Sequence, residues 1–266
     1  AAAKRAADSL EEWIKSQAVK GSKQIFLFNL KKKLATVGEA RGMAELFLER
    51  IRETSDRLEA VAMAENKTDE RSVYHIQTSC LVLAAFRVLT EQLHLSKADA
   101  ITSIRQCLGD SDSLGEKAVA EAVKLSSRVM VTAMRGDESS FLVKTAYNMS
   151  QLDFGESFHV QHTDDASQHI ATVKRCFYHD FFSKHAASEL TREIFCRADE
   201  ALFEKSTGFD LQKLKDKGVF QVDGTLASGG NTCRFIINKG RGGGGGLAGG
   251  GTARASAIAR KGSGDR

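Results

Sequence analysis

Three short stretches in the last third of the chain carry residue types that can do chemistry. They are Arg175-Cys176, the segment Cys196–Asp199, and Thr225–Gly229 with Cys233 shortly after it. Three of the five cysteines lie here, each beside a polar or charged residue and near a predicted strand or helix edge. Thiols in such positions can act as nucleophiles, whereas thiols on apolar helix faces usually pack in the core. The three stretches therefore indicate a small-molecule site.

Cys176 is the first candidate nucleophile, because the neighbouring Arg175 would favour the thiolate and lower the thiol pKa. Cys233 is the alternative nucleophile. Asp199 lies one helical turn after Cys196 and could act as a general base. The ordinary interpretation stays open beside this one: each thiol could be a packed small hydrophobe, and the carboxylate could pair with an arginine at the helix surface.

Metal binding is a second chemistry that the spacing allows. Cys176-x-x-His179 and Cys196-x-x-Asp199 each have ligand-like spacing, and Cys233 could complete a set. Structural zinc sites usually pair two tight Cys/His motifs on turns, whereas each motif here mixes ligand types near a predicted helix. We therefore predict neither a metal nor another cofactor.

The N-terminal part of the chain has apolar residues at helical spacing and contains no proline to interrupt them. Thr68 is the predicted N-cap of a long helix, and Ser113 with Glu116 forms a capping-box pattern for a later one. Cys80 and Cys107 fall on apolar helix faces and are predicted core residues. The periodicity predicts helices over 6–19, 24–36, 39–64, 68–93, 96–109, 113–136 and 138–152.

The pattern changes after residue 153, where apolar and polar residues alternate from Phe158 to His162. Strands are predicted over 158–162 and 169–175 around a turn at 164–167, then helices over 178–184 and 189–205, then a hairpin of 220–226 and 232–238. The first hairpin carries three histidines that we expect to face solvent or a partner: His159, His162 and His169. The predicted class is α+β, with a helical N-terminal half followed by a small antiparallel sheet with helices packed on one face.

This order predicts three parts of the chain. Residues 1–22 form a helical extension, residues 23–239 an α+β domain (helical part 23–152, sheet part 153–239), and residues 240–266 a disordered Gly/Arg-rich tail. The tail has five basic residues against one acidic residue and accounts for the whole net charge of +4. Because the rest of the chain is balanced, nucleic acid is not a predicted partner.

No apolar run approaches the ~20 residues that cross a bilayer, so we predict a soluble protein without a membrane span. The odd number of irregularly spaced cysteines favours free thiols in a reducing compartment. The chain begins with Ala1 rather than Met, as it would after removal of a transit peptide. The predicted location is therefore the cytoplasm, or an organelle matrix or stroma.

In their order and spacing, the C-terminal stretches resemble the L-2-amino-thiazoline-4-carboxylic acid hydrolase family. The resemblance runs from Phe158 to Phe235 through a hairpin ending in Arg-Cys, a helix with Cys-x-x-Asp, then Thr-Leu-Ala-x-Gly and Cys-x-Phe. A weaker similarity covers Gln24 to Ile51. The resemblance implies hydrolytic opening of a cyclic thiazoline to an N-carbamoyl cysteine, by a Cys thiolate or by Asp-activated water acting on the amidine-like carbon.

Within that resemblance, Arg175 would pair with the substrate carboxylate, and Thr225 and Gly229 would contribute to substrate binding. Catalysis would rest on Cys176, Asp199 and Cys233. The alternative is a non-catalytic accessory subunit of a larger organellar protein complex, since an added helix and a basic tail would provide docking surface. Fold resemblance alone does not decide function, so small-molecule substrate and protein subunits both remain predicted partners, and enzymatic activity stays open.

Overall fold

The protein is described by a computed structural model that covers residues 23–36, 42–66, 69–108, 138–152 and 154–239. The predicted helices over 6–19 and 113–136 lie outside the described residues, and so does the predicted tail over 240–266.

The helical half follows the predicted periodicity closely. A first helix, α1, spans residues 23–34 and is followed by α2 over Ala44–Glu65. Helix α3 runs over Glu70–Arg87 and continues into a π-helical turn over Val88–Gln92. Helices α4 and α5 follow over Lys97–Leu108 and Glu138–Leu152. Helices α2 and α3 pack against each other, so the short connection between them makes an antiparallel pair.

Helix α3 is the central helix of this half. By length and composition alone, Ser72–Gln92 could cross a membrane, and it is the single such helix found in the described residues. Its apolar window is 67% buried inside the protein. The core helix of a soluble protein passes the same test, so this helix is weak evidence for a membrane span.

The sheet half contains four antiparallel strands in the order β1-β2-β4-β3. Strands β1 and β2 span His159–Asp164 and Gln168–Arg175, and β3 and β4 span Phe220–Val222 and Cys233–Asn238. Between β2 and β3 lie α6 over Phe177–Lys184, a π-helical turn over Thr191–Cys196, α7 over Arg197–Thr207 and α8 over Leu211–Asp216. The predicted α+β class is confirmed.

Of the boundaries that differ from prediction, two have clear local reasons. The cap of α3 is Asp69 rather than Thr68, because the Asp69 side chain accepts the hydrogen bond from the Ser72 N–H. Strand β3 ends at Val222 instead of 226, since Gly224 has a positive φ of 72° and leaves the extended conformation. A 3₁₀ turn over Leu226–Ser228 then takes the place of the predicted strand end.

Two apolar clusters support these halves. The larger one joins α1 to α4 with α6 and the π-helical turn before α7, and it contains Cys80 and Cys107. Both thiols are buried core residues, as predicted, and burial raises their pKa to about 12 and about 11. The smaller cluster lies between α5, α7, α8 and the sheet; it consists of Leu142, Phe203, Leu211, Leu214, Phe220 and Ile237.

Asp69 ties the helical half to the sheet half. Its Oδ1 accepts hydrogen bonds from the Ser72 N–H at 3.0 Å and from the Glu156 N–H at 3.3 Å. The Ser72 hydroxyl also contacts this carboxylate, and its oxygen accepts the Ser157 N–H at 3.2 Å. The start of α3 is therefore hydrogen-bonded to the segment that leads into β1.

We expect Asp69→Ala to lower the free energy of unfolding by about 1–2 kcal/mol, because a helix cap and an inter-segment hydrogen bond are lost together. Asp69→Asn keeps an acceptor oxygen and should cost clearly less. Urea denaturation of the two variants and the unmodified protein measures the difference. Equal stability of all three would contradict this role for the Asp69 side chain.

Candidate functional site

Cys176 lies at the junction of strand β2 and helix α6. It occupies the N-cap position of α6 with an extended backbone, and its side chain is half-buried. The preceding Arg175 points away into solvent, where its Nε lies 3.3 Å from Asp180 Oδ2. The sheet-to-helix turn therefore directs the thiol inward and the guanidinium outward.

Cys196 and Asp199 are placed by the helix that follows. Cys196 is the last residue of the π-helical turn, and Asp199 lies in the first turn of α7. A π-helical turn accommodates an extra residue and so rotates the side chains after it relative to those before it. Both side chains are half-buried at this change of helix geometry.

Cys233 begins strand β4 and pairs with Val173 of β2. The Leu226 N–H donates a hydrogen bond to its buried Sγ, with a nitrogen–sulfur distance of 3.2 Å. The turn that presents this N–H is built by Thr225, whose Oγ1 accepts the Ser228 N–H at 3.2 Å.

Two glycines close the same turn. Gly229 has a positive φ of 88°, and a Cβ at Gly230 would lie 2.9 Å from the Thr225 carbonyl oxygen. Side chains larger than hydrogen are therefore disfavoured at both positions. The structure thus places Thr225 and Gly229, both predicted substrate-binding residues, in the turn that holds Cys233.

Asp199 lies close enough to all three C-terminal thiols to affect their ionisation. Its negative charge acts to raise the pKa of Cys176, of Cys196 and of Cys233. It acts in the same direction on the buried phenol of Tyr178. The three C-terminal thiols, which are far apart in sequence, therefore converge near one carboxylate.

Burial controls the ionisation of these thiols. It raises the pKa of Cys176 to about 12, aided by the charges of Cys233 and Asp199 and opposed by the backbone N–H of His179. Burial likewise raises the pKa of Cys196 to about 12 and raises that of Cys233. The predicted lowering of the Cys176 pKa by Arg175 is wrong, because desolvation dominates and the guanidinium is directed to Asp180 at the surface.

A buried tyrosine–histidine pair adjoins this cluster. The Tyr178 hydroxyl lies 2.5 Å from His75 Nδ1, and the Tyr178 ring stacks on Phe195 at a centroid distance of 4.0 Å. Burial raises the pKa of Tyr178 well above its ordinary value, and the charge of Asp199 adds to this effect. Sequence reasoning missed the pair, because His75 lies 103 residues away and no local motif marks it.

The metal hypothesis finds no support in the described part of the chain, where no three His, Cys, Asp or Glu side chains are grouped to hold an ion. His179, the other member of the Cys-x-x-His spacing, has a buried Nδ1 without a hydrogen-bond partner among the described residues.

The site therefore combines the Asp199 carboxylate with thiols that keep their protons at neutral pH. With a pKa of about 12, only roughly one Cys176 thiol in 10⁵ is ionised at pH 7. A thiolate nucleophile is thus scarce at neutral pH, and Asp199 is a carboxylate beside the thiols, a group that can serve as a general base.

Comparison with curated proteins and with solved structures found no match. A sequence model of the L-2-amino-thiazoline-4-carboxylic acid hydrolase family matches residues 73–237. The match includes the three converging thiols, Asp199 and both members of the tyrosine–histidine pair, and it begins after α2. Because this match covers more than half of the chain, the protein belongs to the L-2-amino-thiazoline-4-carboxylic acid hydrolase family.

Proposed function

We propose that this chain hydrolyses a small cyclic thiazoline-type substrate, with Asp199 as the general base that activates water. The observation that carries this proposal is the charge of Asp199 acting on Cys176, Cys196 and Cys233 while all three thiols have raised pKa values. Family membership supports the hydrolytic reaction class and a small-molecule substrate. We favour Asp199 as a base over a cysteine as nucleophile because the thiols are protonated at neutral pH.

The reaction proceeds by addition of water to the amidine-like ring carbon. Asp199 takes a proton from the attacking water and returns it to the ring nitrogen. As the carbon–sulfur bond breaks, the remaining hydroxyl proton passes to the departing sulfur. A urea carbonyl and a free thiol form, which together are the N-carbamoyl cysteine product, and the protein ends in its starting protonation state.

The protonated thiols serve as an uncharged, polarizable lining beside the carboxylate. Cys176 and Cys233 offer weak S–H donors and sulfur contacts to the ring without competing for the negative charge of Asp199. Arg175, the predicted ligand of the substrate carboxylate, is directed away from the thiols towards Asp180 at the surface, so we assign it no part in this reaction. Thr225 and Gly229 hold the turn that positions Cys233 rather than contacting substrate directly.

The accessory-subunit alternative is favoured by a different observation. Helix α1 buries one face but leaves Ile25 and Phe28 exposed to 61% and 57%. The neighbouring helix α2 also leaves Val61 exposed, and both helices precede the family match. Ile25 and Phe28, three residues apart, share one face of α1, and exposed apolar side chains on one face are typical of an interface between proteins. In this alternative, the thiol cluster is a remnant of the ancestral site.

We expect Asp199→Asn to lower kcat for opening of L-2-amino-thiazoline-4-carboxylate by about 10²–10⁴-fold, since the amide cannot accept a proton from water. The assay follows release of the free thiol. The matched control is Glu200→Gln, which removes the adjacent carboxylate that pairs with Lys215 at the surface, and it should change kcat by no more than about twofold.

Cys176→Ser and Cys233→Ser complete this experiment. Both variants should retain activity within about tenfold, since neither thiol is the attacking group. Loss of turnover in Cys176→Ser with normal turnover in Asp199→Asn would instead identify the thiol as nucleophile. A folded protein without any turnover would favour the accessory-subunit alternative.

Thiol reactivity gives an independent measurement of the same ionisation. We expect Cys176 in the folded protein to react with iodoacetamide at pH 7.5 at least about 100-fold more slowly than free cysteine, because its pKa of about 12 leaves little thiolate. Peptide mass spectrometry after timed labelling measures the rate, and labelling in denaturant provides the reference. Rapid labelling of folded Cys176 would contradict the protonated-thiol site.

A further inference from the structure

A continuous chain of side-chain contacts joins the end of α5 to the first hairpin. Ser150 Oγ lies 2.7 Å from His162 Nε2. His162 Nδ1 lies 3.1 Å from His169 Nε2, and His169 Nδ1 lies 2.9 Å from Asp164 Oδ1. A hydroxyl within reach of an imidazole that is oriented by further groups is the arrangement of an activated nucleophile.

The hairpin register brings these residues to one face of the sheet. Asp164 pairs with His169, and His162 pairs with Ala171, the residue two positions further along β2. Directly paired residues of antiparallel strands share a face, so both histidines and the aspartate project from the same side. Helix α5, which carries Ser150, contacts β2 and β4. The serine therefore approaches the histidines from the covering helix.

The charges around the chain assign its protons. The Lys239 ammonium lies 2.8 Å from Asp164 Oδ1, and hydrogen bonds from Lys239 and His169 lower the pKa of this carboxyl. The lowered pKa of Asp164 fits a hydrogen bond that His169 donates from Nδ1, and His169 Nε2 then faces His162 Nδ1. Burial and the charge of His169 lower the pKa of His162, which favours the neutral imidazole.

In the tautomer of His162 with its hydrogen on Nδ1, this nitrogen donates to His169 and Nε2 presents its lone pair to Ser150. The Ser150 hydroxyl oxygen also lies 2.8 Å from the Tyr147 carbonyl oxygen. Its single hydrogen can rotate between that carbonyl and His162 Nε2. The geometry thus allows the proton transfer that would convert the hydroxyl into a nucleophile.

Solvent exposure increases from His169 to Ser150, as a nucleophile that meets substrate at the surface requires. His169 is buried, with 3% of its surface exposed, whereas Ser150 and His162 are half-buried. The Tyr147 ring contacts the His162 ring at a centroid distance of 5.0 Å and is 48% exposed. The orienting histidine is therefore shielded, while the serine end borders solvent beside an aromatic surface. The burial of His169 contradicts the expectation that all three hairpin histidines face solvent or a partner.

This cluster is separate from the Asp199 cluster. His169 lies four residues before Val173, the partner of Cys233, on the same face of β2. At about 3.3 Å per residue, the two positions are roughly 13 Å apart along the strand. The serine chain thus takes no part in the chemistry proposed for Asp199.

We propose that Ser150 is the nucleophile of a second site that transfers acyl groups from small carboxylic esters to water. His162 removes the Ser150 hydroxyl proton as Oγ adds to the ester carbonyl, and His169 and Asp164 position His162. The carbon–oxygen bond to the alcohol then breaks, the alcohol takes the proton from His162, and an acyl-serine remains. Water, deprotonated by His162, releases the acid and restores the hydroxyl.

The test is covalent labelling of the full chain by a fluorophosphonate, together with hydrolysis of p-nitrophenyl acetate. We expect one phosphonyl adduct with loss of fluoride, located on Ser150 by peptide mass spectrometry. Ser150→Ala should abolish the adduct. His162→Gln should slow labelling by at least about 100-fold because the base is lost. His159→Gln, on the same strand but outside the chain, should label at the rate of the unmodified protein.

Circular dichroism melting of each variant separates loss of reactivity from loss of fold. Asp164→Asn and His169→Asn are positioning variants and should reduce the labelling rate while changing its dependence on pH, a readout that a structural role alone would not alter. The proposal is overturned if the unmodified protein forms no adduct on Ser150. It is equally overturned if folded His162→Gln labels at the unmodified rate, since the histidine would then not activate the serine.

Discussion

Burial away from water determines the ionisation of the three C-terminal thiols. A thiolate without solvation is costly, and the charge of Asp199 makes ionisation of Cys176, Cys196 and Cys233 still less favourable. The thiols therefore keep their protons at neutral pH beside the Asp199 carboxylate. Burial thus keeps all three thiols protonated around this carboxylate.

The backbone enforces this arrangement through two local irregularities. The π-helical turn over Thr191–Cys196 changes the helix phase just before Asp199, and the 3₁₀ turn over Leu226–Ser228 directs an N–H to the Cys233 sulfur. The two turns contact each other. Regular helix and strand would not present both groups in this way, since each irregularity reorients a side chain or an N–H of the site. The 3₁₀ turn is stabilised by the Thr225 side chain, which caps it, and by Gly229, which adopts the positive φ at its end.

The sequence predicts those helices and strands whose formation depends on local apolar periodicity. Helices α1 to α5 and the two hairpins follow the apolar spacing, and the buried Cys80 and Cys107 follow from the same pattern. The ionisation of Cys176 was not predictable from its neighbour Arg175, because adjacency in sequence did not place the two side chains on one side of the backbone. The turn at Gly224 likewise depended on a φ angle that alternation does not reveal.

The candidate site is harder to predict because its side chains come from positions far apart in the sequence. His75 and Tyr178 meet across 103 residues, and the strand alternation of the first hairpin shows which histidines share a face but not which face the helices cover. Once α5 covers that face, His169 has to satisfy both ring nitrogens within the protein, which His162 and Asp164 allow. Apolar side chains at these positions would pack there without that requirement. The fold instead retains polar clusters at both ends of β2 on its covered face, and each cluster contains a carboxylate, Asp164 in one and Asp199 in the other.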